Sequence, residues 1–132
     1  MTVQLNHTIV AAHDKRASAR FLAGILGLEV REPYGPFVPV EIPNGVTLDY
    51  LDAQGEITPQ HYAFLVSEDE FDTIFARVRA AGLTHWSDPF HHHPGEINHH
   101  DGGRGTYFDD PNGHRLEILT RPYGSGGGGG SG

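Results

Sequence analysis

Two histidines occupy matching places in a repeated pattern. His7 lies in the run Leu5-Asn6-His7-Thr8-Ile9-Val10, and His61 in Gln60-His61-Tyr62-Ala63-Phe64-Leu65-Val66, 54 residues further on. Imidazole is the commonest side-chain ligand for borderline divalent metals. A lone histidine at a strand start is more often structural, but a pair at equivalent repeat positions points to a common site. A further set fills one polar stretch, His91-His92-His93 with His99-His100 behind it. There His91-x-His93-x-x-Glu96 approaches a second ligand spacing, on a segment whose glycines and proline read as loop. The chain contains no cysteine, which excludes thiolate metal sites, disulfides and thiol nucleophiles.

The elements that must carry these histidines repeat as well. Residues 3–11 read as a strand, with Leu5, His7 and Ile9 on one side and Thr8 and Val10 on the other. Apolar residues on both sides predict that both faces are covered. Asp14 can cap a helix whose Leu22, Ile25 and Leu26 recur at helical spacing, and Gly27 stops it. Strands are expected at 28–32, 37–42 and 46–51, the last two joined by Pro43-Asn44-Gly45. The second unit runs in the same order. Residues 61–66 form a strand, and Ser67 and Glu70 have capping-box spacing. Phe71, Ile74, Phe75 and Val78 then make the helical stripe, and Gly82 ends it. Strands follow at 84–86, 105–108 and 115–120, with Asp110-Pro111-Asn112-Gly113 as the matching turn. The spacing between repeats grows from 55 residues at the helix ends to 68 at these turns, so 13 residues are inserted in the segment that holds the histidine loop. Long loops in compact domains are often lids, and Gly95, Gly102 and Gly103 would let this one hinge.

The chain has 132 residues, enough for one domain with a real core, and a formal charge of −8. That charge argues against nucleic acid and anionic membrane as partners. No apolar run is long enough to span a bilayer and no secretory leader is visible, so a cytoplasmic protein is expected. The expected organisation is one domain over residues 1–123, with units at about 3–54 and 58–122. A Gly/Ser tail or linker follows over 124–132.

Two tandem βαβββ units, each opening on a histidine, resemble the vicinal oxygen chelate superfamily of glyoxalases, bleomycin-resistance proteins and extradiol dioxygenases. The resemblance covers Leu5 to Arg121. It implies an α+β fold in which the units form half-barrel walls of a cavity, a divalent metal in that cavity, and a homodimer. It also implies a third ligand, a glutamate on the last strand after a D-P-[DN]-G-[HN] turn. The matching run is Asp110-Pro111-Asn112-Gly113-His114-Arg115-Leu116-Glu117-Ile118, which makes Glu117 the ligand. Alternation supports it, because Leu116 and Ile118 take one face and leave Glu117 on the other.

Two imidazoles and a carboxylate leave coordination positions open. Such a set suits Fe2+, Mn2+, Ni2+ or Zn2+ acting as a Lewis acid on two neighbouring substrate oxygens. The implied function is a metal-dependent enzyme acting on a small oxygenated molecule, of dioxygenase or lyase/isomerase type. The alternatives are a drug-sequestering resistance protein and a fosfomycin-type thiol transferase. For the transferase, the cations near the cavity strands are Arg31, Arg104 and Arg115. By the same resemblance Asp49 stands where glyoxalase I members carry a fourth carboxylate, and Tyr107 where dioxygenase-like members place a substrate-contacting tyrosine. Tyr50, Trp86, Phe90 and Phe37 are candidates for an aromatic pocket wall, and His93, Glu96, His99 and His100 for contacts from the loop.

Overall fold

The computed structural model describes residues 2–126. The chain divides into two compact units, Met1–Thr58 with Asp110–Asn112, and Pro59–Asp109 with Gly113–Gly132. Among the described residues no helix is long and apolar enough to cross a membrane.

The first unit contains β1 (His7–Ala12), α1 (Lys15–Leu26), β2 (Val38–Glu41) and β3 (Thr47–Asp52). Its sheet has the order β1-β3-β2, with β1 and β3 parallel. The Asp14 carboxylate accepts from the Arg16 and Ala17 N–H groups, each at 3.1 Å, and so starts α1. Gly27, at φ 76°, closes it in the left-handed conformation that a side chain resists. Side-chain alternation then sorts the sheet into two faces. Val10, Ala12, Val38, Val40, Leu48 and Tyr50 are buried, as are Ala19, Leu22, Ala23 and Ile25 of α1. The opposite face carries His7, Ile9, Thr47 and Asp49.

Three expectations change here. The side expected to carry Leu5 and Ile9 is not buried: Ile9 is 51% exposed and Leu5 68%. The strand expected at 28–32 is reduced to one bridge, Val30 to Val40, with the Arg31 N–H bonded to the Pro39 carbonyl. Pro33 and Pro36 lack the N–H that a longer ladder needs, and the chain turns back through a Tyr34–Phe37 bridge instead. Tyr50 belongs to the core, at 2% exposure, and not to a pocket wall. One position of register put it on the buried face, opposite to Asp49.

The second unit contains β4 (His61–Leu65), α2 (Glu68–Ala80), β5 (His85–Trp86), β6 (Gly105–Asp109) and β7 (Arg115–Leu119). Its sheet order is β4-β7-β6-β5, with the edge strand β4 parallel to β7, as β1 is to β3, and the other pairs antiparallel. The capping box forms as expected. Ser67 Oγ accepts from the Glu70 N–H at 3.1 Å, and the Glu70 carboxylate accepts from the Ser67 N–H at 2.8 Å. Phe71, Ile74 and Val78 of α2 are buried, together with Thr106, Phe108, Leu116 and Ile118. Arg104 lies over the Phe71 ring at 4.4 Å and pairs with Glu68 and Asp72 on α2. The other sheet face carries His61, Ala63, Tyr107, Glu117 and Trp86.

The histidine loop is tied to this sheet at several points. Gly95 N–H donates to the His85 carbonyl, and Asn98 and Gly105 exchange both backbone bonds. The Asp88 carboxylate accepts from the N–H groups of Phe90, His92 and His93. Burial raises the Asp88 pKa, but these three bonds outweigh it and leave the carboxyl below its ordinary value. Gly103, expected as a hinge, serves close packing. A Cβ there would stand 2.5 Å from Thr120 Oγ1 and 2.7 Å from Arg121 Cγ.

The chain past Tyr123 is also held. Asp101 accepts from the N–H groups of Gly124 and Gly126, so hydrogen bonding continues into the segment expected to be a tail. The remainder of that segment, 127–132, lies outside the described residues.

Candidate metal centre

In the second unit three adjacent strands bring together two expected ligands. His61 opens β4, and its register partner on β7 is Arg115; two residues along, Ala63 faces Glu117. His61 Nδ1 lies 3.1 Å from the Arg115 carbonyl oxygen. A carbonyl only accepts, so Nδ1 carries the proton and the ring is turned with Nε2 toward Glu117. His61 Nε2 stands 3.1 Å from Glu117 Oε1.

Those two atoms are both acceptors in their metal-binding forms. At this distance they need a cation, either a proton on Nε2 or a metal ion beside both. Two ligands at right angles on an ion with bonds of about 2.1 Å stand roughly 3.0 Å apart. The observed separation therefore fits one edge of an octahedral site. Orientation of a ligating imidazole through its other nitrogen is the usual second-layer arrangement.

Glu117 is 1% exposed, and burial pushes its carboxyl pKa up, against the opposing pull of His61 and of bonds from Tyr107, His61 and Tyr123. Tyr107, directly opposite Glu117 on β6, stacks with the His61 ring at 5.9 Å between centroids. Its own hydroxyl is driven far above the ordinary tyrosine range by burial, then by the Tyr123 bond and the Glu117 charge, so it stays protonated. Tyr123 completes the group, with its hydroxyl 3.2 Å from Tyr107 Oη and 3.4 Å from Glu117 Oε1.

The third expected ligand, His7, opens β1 in the first unit. Its Nδ1 donates to Asn6 Oδ1 at 2.7 Å, which leaves the lone pair on Nε2, as in His61. His7 and Asp49 line one open cleft of about 610 Å³, with Ile9, Arg31, Tyr34 and Phe37. Among the described residues no three His, Asp or Glu side chains stand together closely enough to hold an ion.

The aromatic and loop candidates divide. Trp86 pairs with Tyr107 across β5 and β6 and stacks on His91 at 3.6 Å. Phe90 is 71% exposed, and His93, Glu96 and His100 are exposed along the loop. Sequence reasoning read His91 only through its spacing to His93 and Glu96; it missed the approach of His91 to Asp109 at 3.3 Å and the Asp109–Arg115 pair, in which Arg115 also ties the Pro89 carbonyl. It missed Tyr123 as well. No periodic signal marks that residue, because it follows the last strand.

Comparison with known proteins agrees with this architecture. The profile of the Glyoxalase/Bleomycin resistance protein/Dioxygenase superfamily matches residues 4–118. A solved structure named Oxidase ChaP-H2 is 82% identical, with a TM-score of 0.94, over 96% of this chain and 100% of that one. Oxidase ChaP-H1 is 62% identical, with a TM-score of 0.91, over 93% of this chain and 99% of its own. Glutathione transferase FosA of Serratia marcescens is 31% identical over 124 residues, 89% of this chain and 81% of that protein. With the profile spanning both sheets and relatives this similar, the chain belongs to the glyoxalase/bleomycin resistance protein/dioxygenase superfamily and has its vicinal oxygen chelate fold.

Proposed function

We propose that this protein is a divalent-metal-dependent oxidase of dioxygenase type, acting on a small organic molecule that offers the ion two neighbouring oxygens. His7, His61 and Glu117 are its ligands in this reading. The observation that carries it is the His61 Nε2–Glu117 Oε1 pair, two acceptors 3.1 Å apart with the carboxylate buried and the imidazole half-exposed. The reaction class is supported by the 82% identical relative, which is named an oxidase. Fe2+, Mn2+, Ni2+ and Zn2+ all accept this donor set, and the first two suit redox chemistry. Bound there, the ion would polarise the substrate oxygens and give electrons a route to dioxygen.

The protein's own groups have distinct tasks. The Arg115 carbonyl fixes the His61 ring. Tyr107, held protonated, stacks on that ring and offers a hydroxyl donor beside Glu117. Asp49, in the cleft with His7, is the acid–base candidate, and Trp86 presents an aromatic wall. Phe90, His93, Glu96 and His100 form an exposed rim on the anchored loop.

The thiol-transferase reading is supported by the 31% identical relative. Against it, Arg31, Arg104 and Arg115 are all paired, with Glu41, with Glu68 and Asp72, and with Asp109 respectively. A phosphonate would find no uncommitted partner among these three. A metal-free drug binder would leave the buried Glu117 without purpose.

We further propose a cytoplasmic homodimer. β1 and β4 end their own sheets, and Ile9 and Leu65 are exposed apolar residues on them. Sedimentation as a monomer at micromolar concentration would contradict it.

The functional test is anaerobic loading with Fe2+, followed by oxygen uptake with a panel of catechols. Hemithioacetals, and fosfomycin with glutathione, run in parallel. About one ion per chain is expected, lost in His7→Ala, His61→Ala and Glu117→Ala with the fold intact. Full loading of His61→Ala would refute the ligand set. Thiol transfer to fosfomycin without oxygen uptake would establish the transferase instead.

A further inference from the structure

The last described segment is built around one side chain. Pro122 to Ser125 form a tight turn in which Ser125 donates to the Pro122 carbonyl through both N–H and hydroxyl. Asp101 clamps this turn through the N–H groups of Gly124, at 3.2 Å, and Gly126, at 3.0 Å. Arg121 adds a bond to the Ser125 carbonyl. Gly126 approaches so closely that a Cβ would stand 2.7 Å from Asp101 Cα. The clamp delivers Tyr123, whose ring is largely exposed while its hydroxyl turns inward to Tyr107 and Glu117. An exposed tyrosine has no solvation reason to direct its hydroxyl at a buried carboxylate. Here the turn imposes that direction.

We propose that Tyr123 is a positioning residue of the metal centre. It holds the Glu117 carboxylate in one rotamer through its hydroxyl, with the Asp101-clamped turn as its mount. This rests on the reading of Glu117 as a ligand. Glu117 Oε1 faces His61 Nε2 on one side and the tyrosine hydroxyl on another. Without the hydroxyl only Tyr107 and His61 hold the carboxylate, and its rotamer at the edge it shares with His61 is less restricted. Loss of a partner that orients a ligand costs about 10–100-fold in metal affinity.

The test uses Mn2+ binding to the full chain, read from the paramagnetic resonance signal of free Mn2+. Three variants approach the device from different sides. Tyr123→Phe keeps the ring and removes the hydroxyl. Asp101→Ala removes the clamp, and Gly126→Ala forces it open without touching either tyrosine or any ligand. The expected result is a loss of about 10-fold or more in Mn2+ affinity in all three. The metal-free melting temperature of Tyr123→Phe should stay near that of the unaltered protein, which separates positioning from a structural role. Glu117→Ala should remove binding altogether. Unaltered affinity in Tyr123→Phe, with binding still dependent on Glu117, would overturn the role of Tyr123 alone. Failure of the unaltered protein to bind Mn2+, or binding indifferent to Glu117→Ala, would overturn it together with the ligand assignment.

Discussion

Glu117→Gln should separate what the metal centre does for function from what it does to the fold. The side chain keeps its shape, so its place beside His61, Tyr107 and Tyr123 is unchanged, and only the charge goes. The carboxylate is 1% exposed and therefore carries a desolvation cost that three partners offset only in part. Removing one member of a buried ion pair usually costs several kcal/mol, because the other charge is stranded. That outcome does not apply here, since the His61 side chain is 45% exposed and water can serve it. The balance favours a metal-free variant more stable by about 1–2 kcal/mol. For a chain of this length that raises the melting temperature by about 3–8 °C. Metal affinity should move the other way, by 100-fold or more, about 2.7 kcal/mol. Calorimetry after chelator treatment measures the first effect, and Mn2+ titration the second. A variant destabilised by more than 1 kcal/mol would show that the carboxylate is a net structural asset, and the desolvation argument would be wrong.

Other substitutions test the scaffold. Gly103→Ala should cost about 1–3 kcal/mol in a denaturant titration, because its Cβ would overlap Thr120 and Arg121. Ser67→Ala should cost about 1 kcal/mol through loss of the capping box at α2, read the same way. The Asp88 clamp should weaken in acid. Its folded carboxyl lies below the ordinary 3.8, so its contribution is present above that value and lost as pH falls through the folded one. Hydrogen exchange at the His92 and His93 amides, corrected for the intrinsic rate, should quicken there, and unchanged protection would discount the clamp.

The fold was readable because several signals agreed at each element. Asp14 and the Ser67–Glu70 pair marked helix starts, Gly27 and Gly82 their ends, and the two Pro-Asn-Gly turns fixed the last strand pairs. Position along the chain is a weaker guide to face than to element. Asp49 and Tyr50 are neighbours on β3, and only pairing register puts the first in the cleft and the second in the core. The segment 28–32 misled for a related reason: Val30 has a strand's side chain, yet Pro33 and Pro36 interrupt the ladder beside it.

The candidate site shows a sharper division. His61 and Glu117 were legible because strands repeat every two residues and a turn motif anchored the count. Tyr123 was not, because what directs it is a set of backbone N–H groups converging on Asp101, 22 residues upstream. Gly124 and Gly126 look like linker composition in sequence. In space they are the residues that let the turn sit against Asp101, since a Cβ at Gly126 would meet that backbone. The same residue type thus reads as freedom along the chain and acts as a close-fitting contact in the fold. Where Gly/Ser composition begins is consequently a poor estimate of where the functional part of this chain ends. Truncation after Tyr123, which keeps the tyrosine and removes the clamped glycines, should test that directly, by weakening Mn2+ binding while α2 and the β4-β7-β6 strands, which lie wholly before it, remain folded.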